Sequence, residues 1–196
     1  MKKLIIITGV SGVGKTTLAQ ILYKKLENSI LLSYDEFSEK IYDIIGFKNK
    51  EQKKHLYYLK IEMYKKLIEE CMQREDEIII LEKPFKIEWN DFLKNLITKY
   101  EYETYTINIF AKDFETIWNR LSKRESLKEE RHPAHYLNSY YYNKRDKYKP
   151  FFEYQYNTLK AEYDNLLSNS INLGNVINLE DIEKVNIDKL IKSLML

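Results

Sequence analysis

The chain has 196 residues, 44% of them hydrophobic and 32% charged, a balance suited to one soluble domain with a substantial core. With 32 basic against 30 acidic side chains the formal net charge is +2, which excludes a global field drawing the protein to nucleic acid or to an anionic membrane. A single cysteine, Cys71, excludes an internal disulfide and fits a reducing, cytoplasmic compartment, and the leading apolar run Leu4–Ile7 is too short for a membrane span or a signal-peptide core.

Lys3–Thr8 is the first predicted strand. Its Ile5, Ile6 and Ile7 run continuously rather than alternating, as a central parallel strand covered on both faces should. The strand leads straight into Gly9-Val10-Ser11-Gly12-Val13-Gly14-Lys15-Thr16, a full match to G-x-x-x-x-G-K-[ST], and then into a helix marked by Leu18, Ile21, Leu22 and Leu26. Each residue type has a physical task. Glycines let successive backbone N–H groups face phosphate oxygens, and the helix beginning near Lys15 adds the partial positive charge of its N-terminus. Lys15 reaches the β- and γ-phosphates, and the Thr16 hydroxyl is a Mg²⁺ ligand. The expected nucleotide-binding residues are therefore Gly9, Ser11, Gly12, Val13, Gly14, Lys15, Thr16 and Thr17, with ATP and Mg²⁺ as cofactors.

Further strands are predicted at Ser29–Ser33, Glu77–Leu81 and Glu103–Phe110, with a shorter one at Asn175–Asn178. Helical patterns fall between them at Glu51–Arg74, Trp89–Tyr100 and Phe114–Arg124, and Ile187, Leu190, Ile191 and Leu194 form the stripe of a last helix. Alternating strands and helices predict an α/β domain spanning 1–196, with a mostly parallel sheet and ligands outside the carboxyl ends of its strands. The 17 tyrosines have two readings: aromatic surface that stacks bases, or half-buried packing in a chain also rich in Lys, Ile and Asn. Two short matches to guanine-nucleotide signatures occur, Asp43-Ile44-Ile45-Gly46 (D-x-x-G) and Asn143-Lys144-Arg145-Asp146 (N-K-x-D). Neither follows an apolar strand, which leans the base preference toward adenine. A GTPase or ATPase-type nucleotide switch stays as the rival reading.

Gly9–Thr17, together with the length and strand order, resembles the small P-loop kinases of the nucleoside monophosphate kinase-like group, which includes zeta-toxin-type, gluconate, shikimate and polynucleotide kinases. The resemblance implies a three-layer fold with a five-stranded parallel sheet of order 2-3-1-4-5, flanked by helices, and a helical lid at about 124–150. It implies an acceptor site at the end of the second strand, where Asp35 orients or deprotonates the acceptor hydroxyl; the alternative for Asp35 is a helix N-cap. Glu82, closing the third strand, stands where such kinases keep an acid for magnesium or substrate; the alternative is a surface acid beside Lys83. Arg120, Arg124 and Arg131 resemble lid arginines, with Arg120 on the nucleotide and Arg124 and Arg131 on the transferring phosphoryl group. His132 and His135 suit lid packing or substrate contact better than a metal site. Tyr140–Tyr142 and Tyr148–Tyr156 either wall an acceptor pocket or pack helices. The expected acceptor is a small hydroxyl compound such as a nucleoside, nucleotide or sugar, with a 5′-hydroxyl nucleic acid end as the alternative and nucleic acid otherwise not expected.

Overall fold

The run Lys3–Thr8 forms β1, buried along its whole length. Successive side chains point to opposite faces of the sheet, so Ile5 and Ile7 enter one apolar cluster while Leu4 and Ile6 enter another. A strand apolar at four successive positions, Leu4–Ile7, is thereby satisfied only in the middle of a sheet with helices on both sides. The computed structural model describes residues 2–126, 132–135, 137–147 and 156–195.

The remaining elements, in chain order, are α1 (Lys15–Lys25), β2 (Ser29–Ser33), α2 (Tyr34–Ile45), α3 (Lys50–Gln73), β3 (Ile78–Glu82), α4 (Asn90–Tyr100), β4 (Glu103–Phe110), α5 (Phe114–Ser126), α6 (Tyr156–Asn169), β5 (Asn175–Glu180) and α7 (Ile187–Met195). Short 3₁₀ turns occupy Ile87–Trp89, Pro133–His135, Tyr142–Lys147 and Ile182–Lys184. The sheet order is β2-β3-β1-β4-β5 and every pairing is parallel, with Ile5 opposite both Ile80 and Tyr105, and Ile107 opposite Ile177. This is the order that the resemblance implies. Two strands differ from expectation in their bounds. β3 begins and ends one residue later, which makes Glu82 its last strand residue, and β5 runs two residues further, to Glu180.

One face of the sheet is covered by α1, α5, α6 and α7, which supply Leu18, Leu22, Ile117, Leu121, Tyr163 and Leu190. The other is covered by α3, α4 and the start of α2, through Tyr64, Ile68, Leu93, Leu96 and Tyr34. The buried Lys3 ammonium ties α7 down by donating to the Leu194 carbonyl at 2.7 Å, and it pairs with Glu103 at 3.1 Å. A third, smaller cluster joins Tyr42, Phe47, Leu56, Ala134 and Tyr140, and the backbones of Phe47 and Tyr140 exchange hydrogen bonds of 2.9 and 2.8 Å. Part of the expected lid region thus docks on the α2–α3 junction. No helix among the described residues is long and apolar enough to cross a membrane. Because all five strands run the same way, Thr8, Ser33 and Glu82 end on one side of the sheet, and chemistry is expected there.

Candidate active site

The loop between β1 and α1 has the shape that its glycines predict. Gly9 and Gly14 have φ of 144° and 99°, values open to glycine and strained for other residues. Neither site has room for a side chain: a Cβ at Gly9 would collide with the Ile109 carbonyl, and one at Gly14 would lie 2.6 Å from Ile182 Cγ2. Gly14 occupies the N-cap of α1 and has no side chain to cap it, so the first amides of the helix are left for a ligand. The Lys15 ammonium, largely buried, donates to the Val10 carbonyl at 2.9 Å and folds over its own loop.

β3 delivers Glu82 to the same place. Its carboxylate is only 2% exposed and accepts from Thr16 Oγ1 at 3.4 Å and from Ser33 Oγ at 2.8 Å. Burial pushes its pKa up, and the Lys15 charge and the Ser33 bond oppose that shift without cancelling it. The alternative of a surface acid therefore fails for Glu82. A buried carboxylate next to the hydroxyl that would ligate Mg²⁺ is the donor chemistry of a hard cation, so Thr16 and Glu82 fit the metal that the loop implies. Among the described residues, no group of three or more His, Cys, Asp and Glu side chains stands ready as a protein-only metal site.

Ser33 is the N-cap residue of α2, but its hydroxyl is diverted to Glu82 and makes no cap bond. Asp35 is therefore a first-turn residue rather than the cap. It is exposed, and its negative charge acts on Glu82, Lys60 and Lys83 together, which places it among the groups at the carboxyl ends of β2 and β3.

Beside the loop lies a cleft of about 960 Å³. Val10 and Ser11 form its inner edge, α3 contributes Tyr57, Ile61 and Lys65, the segment after β3 contributes Lys83 and Trp89, and α6 closes it with residues such as Thr158 and Glu162. Asp35 does not line this cleft; it influences it through Lys83. Lys83 is largely buried with its ammonium 3.5 Å from the Tyr34 ring centre, and burial lowers its pKa to about 8 while the Asp35 charge pulls upward.

Lys60 on α3 is a second buried cation. It is 2% exposed, bonds the Ser38 hydroxyl and lies 3.5 Å from the Tyr42 ring centre; burial lowers its pKa to about 7, with Lys53 and Lys83 adding to the effect. An unfolded lysine keeps its proton to about pH 10.4, so between the two values the unfolded chain holds more protons and stability rises with pH. Below about pH 7 the cost of burying the charge is present in full. Lys60→Met should consequently stabilise the protein, by a few kcal/mol at pH 6 and progressively less toward pH 10. Urea denaturation at pH 6 and pH 9 checks this; a difference between variants that does not change with pH would contradict it.

Of the expected arginines, Arg120 is placed on α5 with its guanidinium 2.6 Å from Asp181 and 3.5 Å from Glu183, in the turn whose Ile182 abuts Gly14. It stands on the α1 side of the loop, away from the cleft. Arg131 and the side chain of Arg124 lie outside the described residues. His132 bonds Asp43 at 2.9 Å and His135 bonds Glu39 at 3.0 Å, so both histidines fasten their segment to α2. Asp43 also accepts from the Tyr140 hydroxyl. It lies inside α2, and Asn143 sits in a 3₁₀ turn, so neither short guanine-nucleotide match follows a strand. Tyr156 opens α6 and packs on Phe114 and Trp118, while Tyr148–Tyr154 lie outside the described residues.

Sequence reasoning missed the two buried lysines. Lys60 had a signal: it interrupts the four-residue stripe Leu56, Lys60, Tyr64, Ile68 on α3. Lys83 had none beyond following a strand.

Residues 5–146 match the AAA domain family. A probable adenylyl-sulfate kinase of Archaeoglobus fulgidus is 35% identical over 104 residues, covering 51% of this chain and 64% of that protein; the chain thus spans less than two thirds of its relative's length. Among solved structures, a provisionally assigned kinase of Chloroflexus aurantiacus superposes with a TM-score of 0.73 at 22% identity, over 99% of this chain and 97% of the other. The tunicamycin resistance protein of Deinococcus radiodurans does so with a TM-score of 0.55 at 14% identity, over 99% and 94%. At these identities the likeness is one of fold, and the fold is that of a small P-loop kinase.

Proposed function

The chain belongs to the AAA domain family, and on that premise we propose that it is a Mg²⁺- and ATP-dependent phosphotransferase acting in the cytoplasm on a small hydroxyl compound. One observation carries the reading beyond nucleotide binding: the phosphate loop opens through Val10 and Ser11 directly onto a second compartment of about 960 Å³. A switch that only holds and hydrolyses nucleotide has no use for an acceptor-sized chamber beside its phosphate loop. The relative named for adenylyl-sulfate kinase activity supports the same class of chemistry.

In this reading the amides of Gly9–Thr16 hold the phosphates, and Lys15 neutralises charge gathering on the β,γ-bridge and the γ-phosphoryl oxygens. Thr16 and Glu82 would hold the magnesium, which supplies further charge neutralisation and alignment of the phosphate chain. An acceptor hydroxyl in the cleft attacks the γ-phosphorus in line. The new O–P bond forms as the bond to the bridging oxygen breaks, ADP departs, and the hydroxyl proton passes by way of water to Asp35, which stands outside the cleft lining. Arg120 braces the nucleotide side, and Arg124 and Arg131 are proposed to close over the phosphoryl group from the lid.

The test is transfer of labelled γ-phosphate from ATP, with GTP alongside, to nucleosides, nucleotides, sugars, sugar acids and a 5′-hydroxyl oligonucleotide. A labelled small-molecule product that needs Mg²⁺ is the expected result. Stoichiometric hydrolysis to ADP and phosphate, with no labelled acceptor, would favour the nucleotide-switch reading.

A further inference from the structure

Lys83 is an unusual lining residue. Its side chain is more than nine-tenths buried, yet it contributes to the wall of the cleft beside the phosphate loop. Its ammonium faces the rings of Tyr34 at 3.5 Å and Trp89 at 5.5 Å, and among the described residues it makes no hydrogen bond or ion pair. The backbone of Lys83 is fixed by a bond from its N–H to the Ile7 carbonyl, which carries the β1–β3 pairing one residue beyond the strand.

An ammonium has three donors and no acceptor, and burying one without a partner is costly. Ring faces offset part of that cost, but they accept no strong hydrogen bond. The carboxylates whose charges act on Lys83 are otherwise placed: Glu82 is held by Thr16 and Ser33, Asp35 and Glu88 are exposed, and none is in contact with it. Two more lysines, Lys65 and Lys86, line the same cleft against the exposed acids Glu88 and Glu162. Lys65 is already paired with Glu62 at 2.9 Å, and Lys86 is exposed, which leaves Lys83 as the inner cation of the cleft with donors to offer.

We infer that the acceptor of the proposed transfer is an anion, a hydroxyl compound carrying a phosphate, sulfate or carboxylate group that Lys83 binds in the cleft beside Val10 and Ser11. The inference rests on the phosphotransferase reading and narrows its acceptor class. The anionic group takes the ammonium's open donors, Lys86 adds charge at the exposed side, and Tyr57, Ile61 and Pro84 offer apolar surface to the rest of the molecule. Neutral relatives of the same compound leave Lys83 buried and unsatisfied in the complex, which is how a polar pocket rejects an analogue lacking the matching group.

Two measurements test it independently. In the first, the phosphate loop is kept filled with a non-hydrolysable ATP analogue and Mg²⁺. Inorganic sulfate is then titrated at constant ionic strength while the fluorescence of Trp89 is followed in a Trp118→Phe background. Saturable binding is expected, weakened about 10- to 100-fold by Lys83→Met and largely regained in Lys83→Arg. Equal binding by the Lys83→Met protein, or none by the parent, overturns the site. In the second, matched pairs are offered with ATP: adenosine against adenosine 5′-monophosphate, and glucose against gluconate. The anionic member should be used with the higher kcat/KM, and Lys83→Met should erode that preference through KM rather than kcat, as loss of a binding contact does. A purely structural lysine would instead lower kcat and melting temperature together. Equal use of neutral and anionic members refutes the anion inference and leaves the kinase reading intact. Lys83-dependent sulfate binding with no acceptor phosphorylated retains the anion site and counts against the kinase reading.

Discussion

Lys15→Ala should reduce phosphoryl transfer by at least about 10³-fold, on the scale of removing a cationic clamp from a transferring phosphoryl group. The geometry explains why no neighbour substitutes for it. Lys15 is the first residue of α1, held against the Val10 carbonyl at 2.9 Å, and its charge reaches Glu82 across the end of the loop proposed to hold magnesium. Removing it takes away both the positive charge at the phosphates and the group that offsets burial of the Glu82 carboxylate. The Glu82 pKa should rise further in consequence, so that less of it is ionised to assist a cation at neutral pH. The fold should persist with a lower melting temperature, because the loop loses the bond to the Val10 carbonyl and Glu82 loses the charge that offsets its burial. Initial rates, ATP affinity and thermal melting are the measurements. A variant that keeps more than a tenth of the parent's transfer rate would show that Lys15 is not the phosphate clamp.

Asp35→Asn should leave MgATP binding nearly unchanged while kcat falls by about 10²–10⁴-fold, the range for losing a general base. The substitution keeps size and hydrogen-bonding capacity in the first turn of α2 and removes only the charge and the ability to take a proton. It also removes the charge that pulls the pKa of Lys83 and Lys60 upward, so a secondary loss of positive charge in the cleft accompanies it. That secondary effect appears in KM for the acceptor, whereas loss of the base appears in kcat, and steady-state kinetics with varied acceptor separates them. If MgATP affinity fell in parallel with kcat, Asp35 would belong to the metal site and the proposed proton path would be wrong.

The sites differ in how far they could be read without a fold. The phosphate loop is written in nine consecutive residues, and its conformation depends on local rules: glycine where φ is positive, an apolar strand before, an amphipathic helix after. The parallel sheet was legible for a similar reason, since Ile5-Ile6-Ile7 and Ile78-Ile79-Ile80 are apolar on both faces and can only be central. Glu82 was legible as a position but not as an environment. The sequence leaves it between metal site and surface acid; the bond from Ser33, 49 residues away, and its near-complete burial settle where it faces. The histidine pair shows the opposite case, because its partners Asp43 and Glu39 lie some 90 residues earlier and no spacing rule links them.

By itself, then, the sequence determined the nucleotide-binding half of this protein, because backbone conformation and phosphate contact there follow from neighbouring residues and from strand and helix periodicity. Only the tertiary structure decided the cleft proposed for the acceptor. The cleft exists because α3, the turn after β3 and α6 converge on the phosphate loop from positions as far apart as Tyr57 and Glu162. Whether a lysine such as Lys83 is a solvated surface charge or a largely buried cation against aromatic rings is set by what packs over it, and burial is a property of the assembled core that no local pattern encodes.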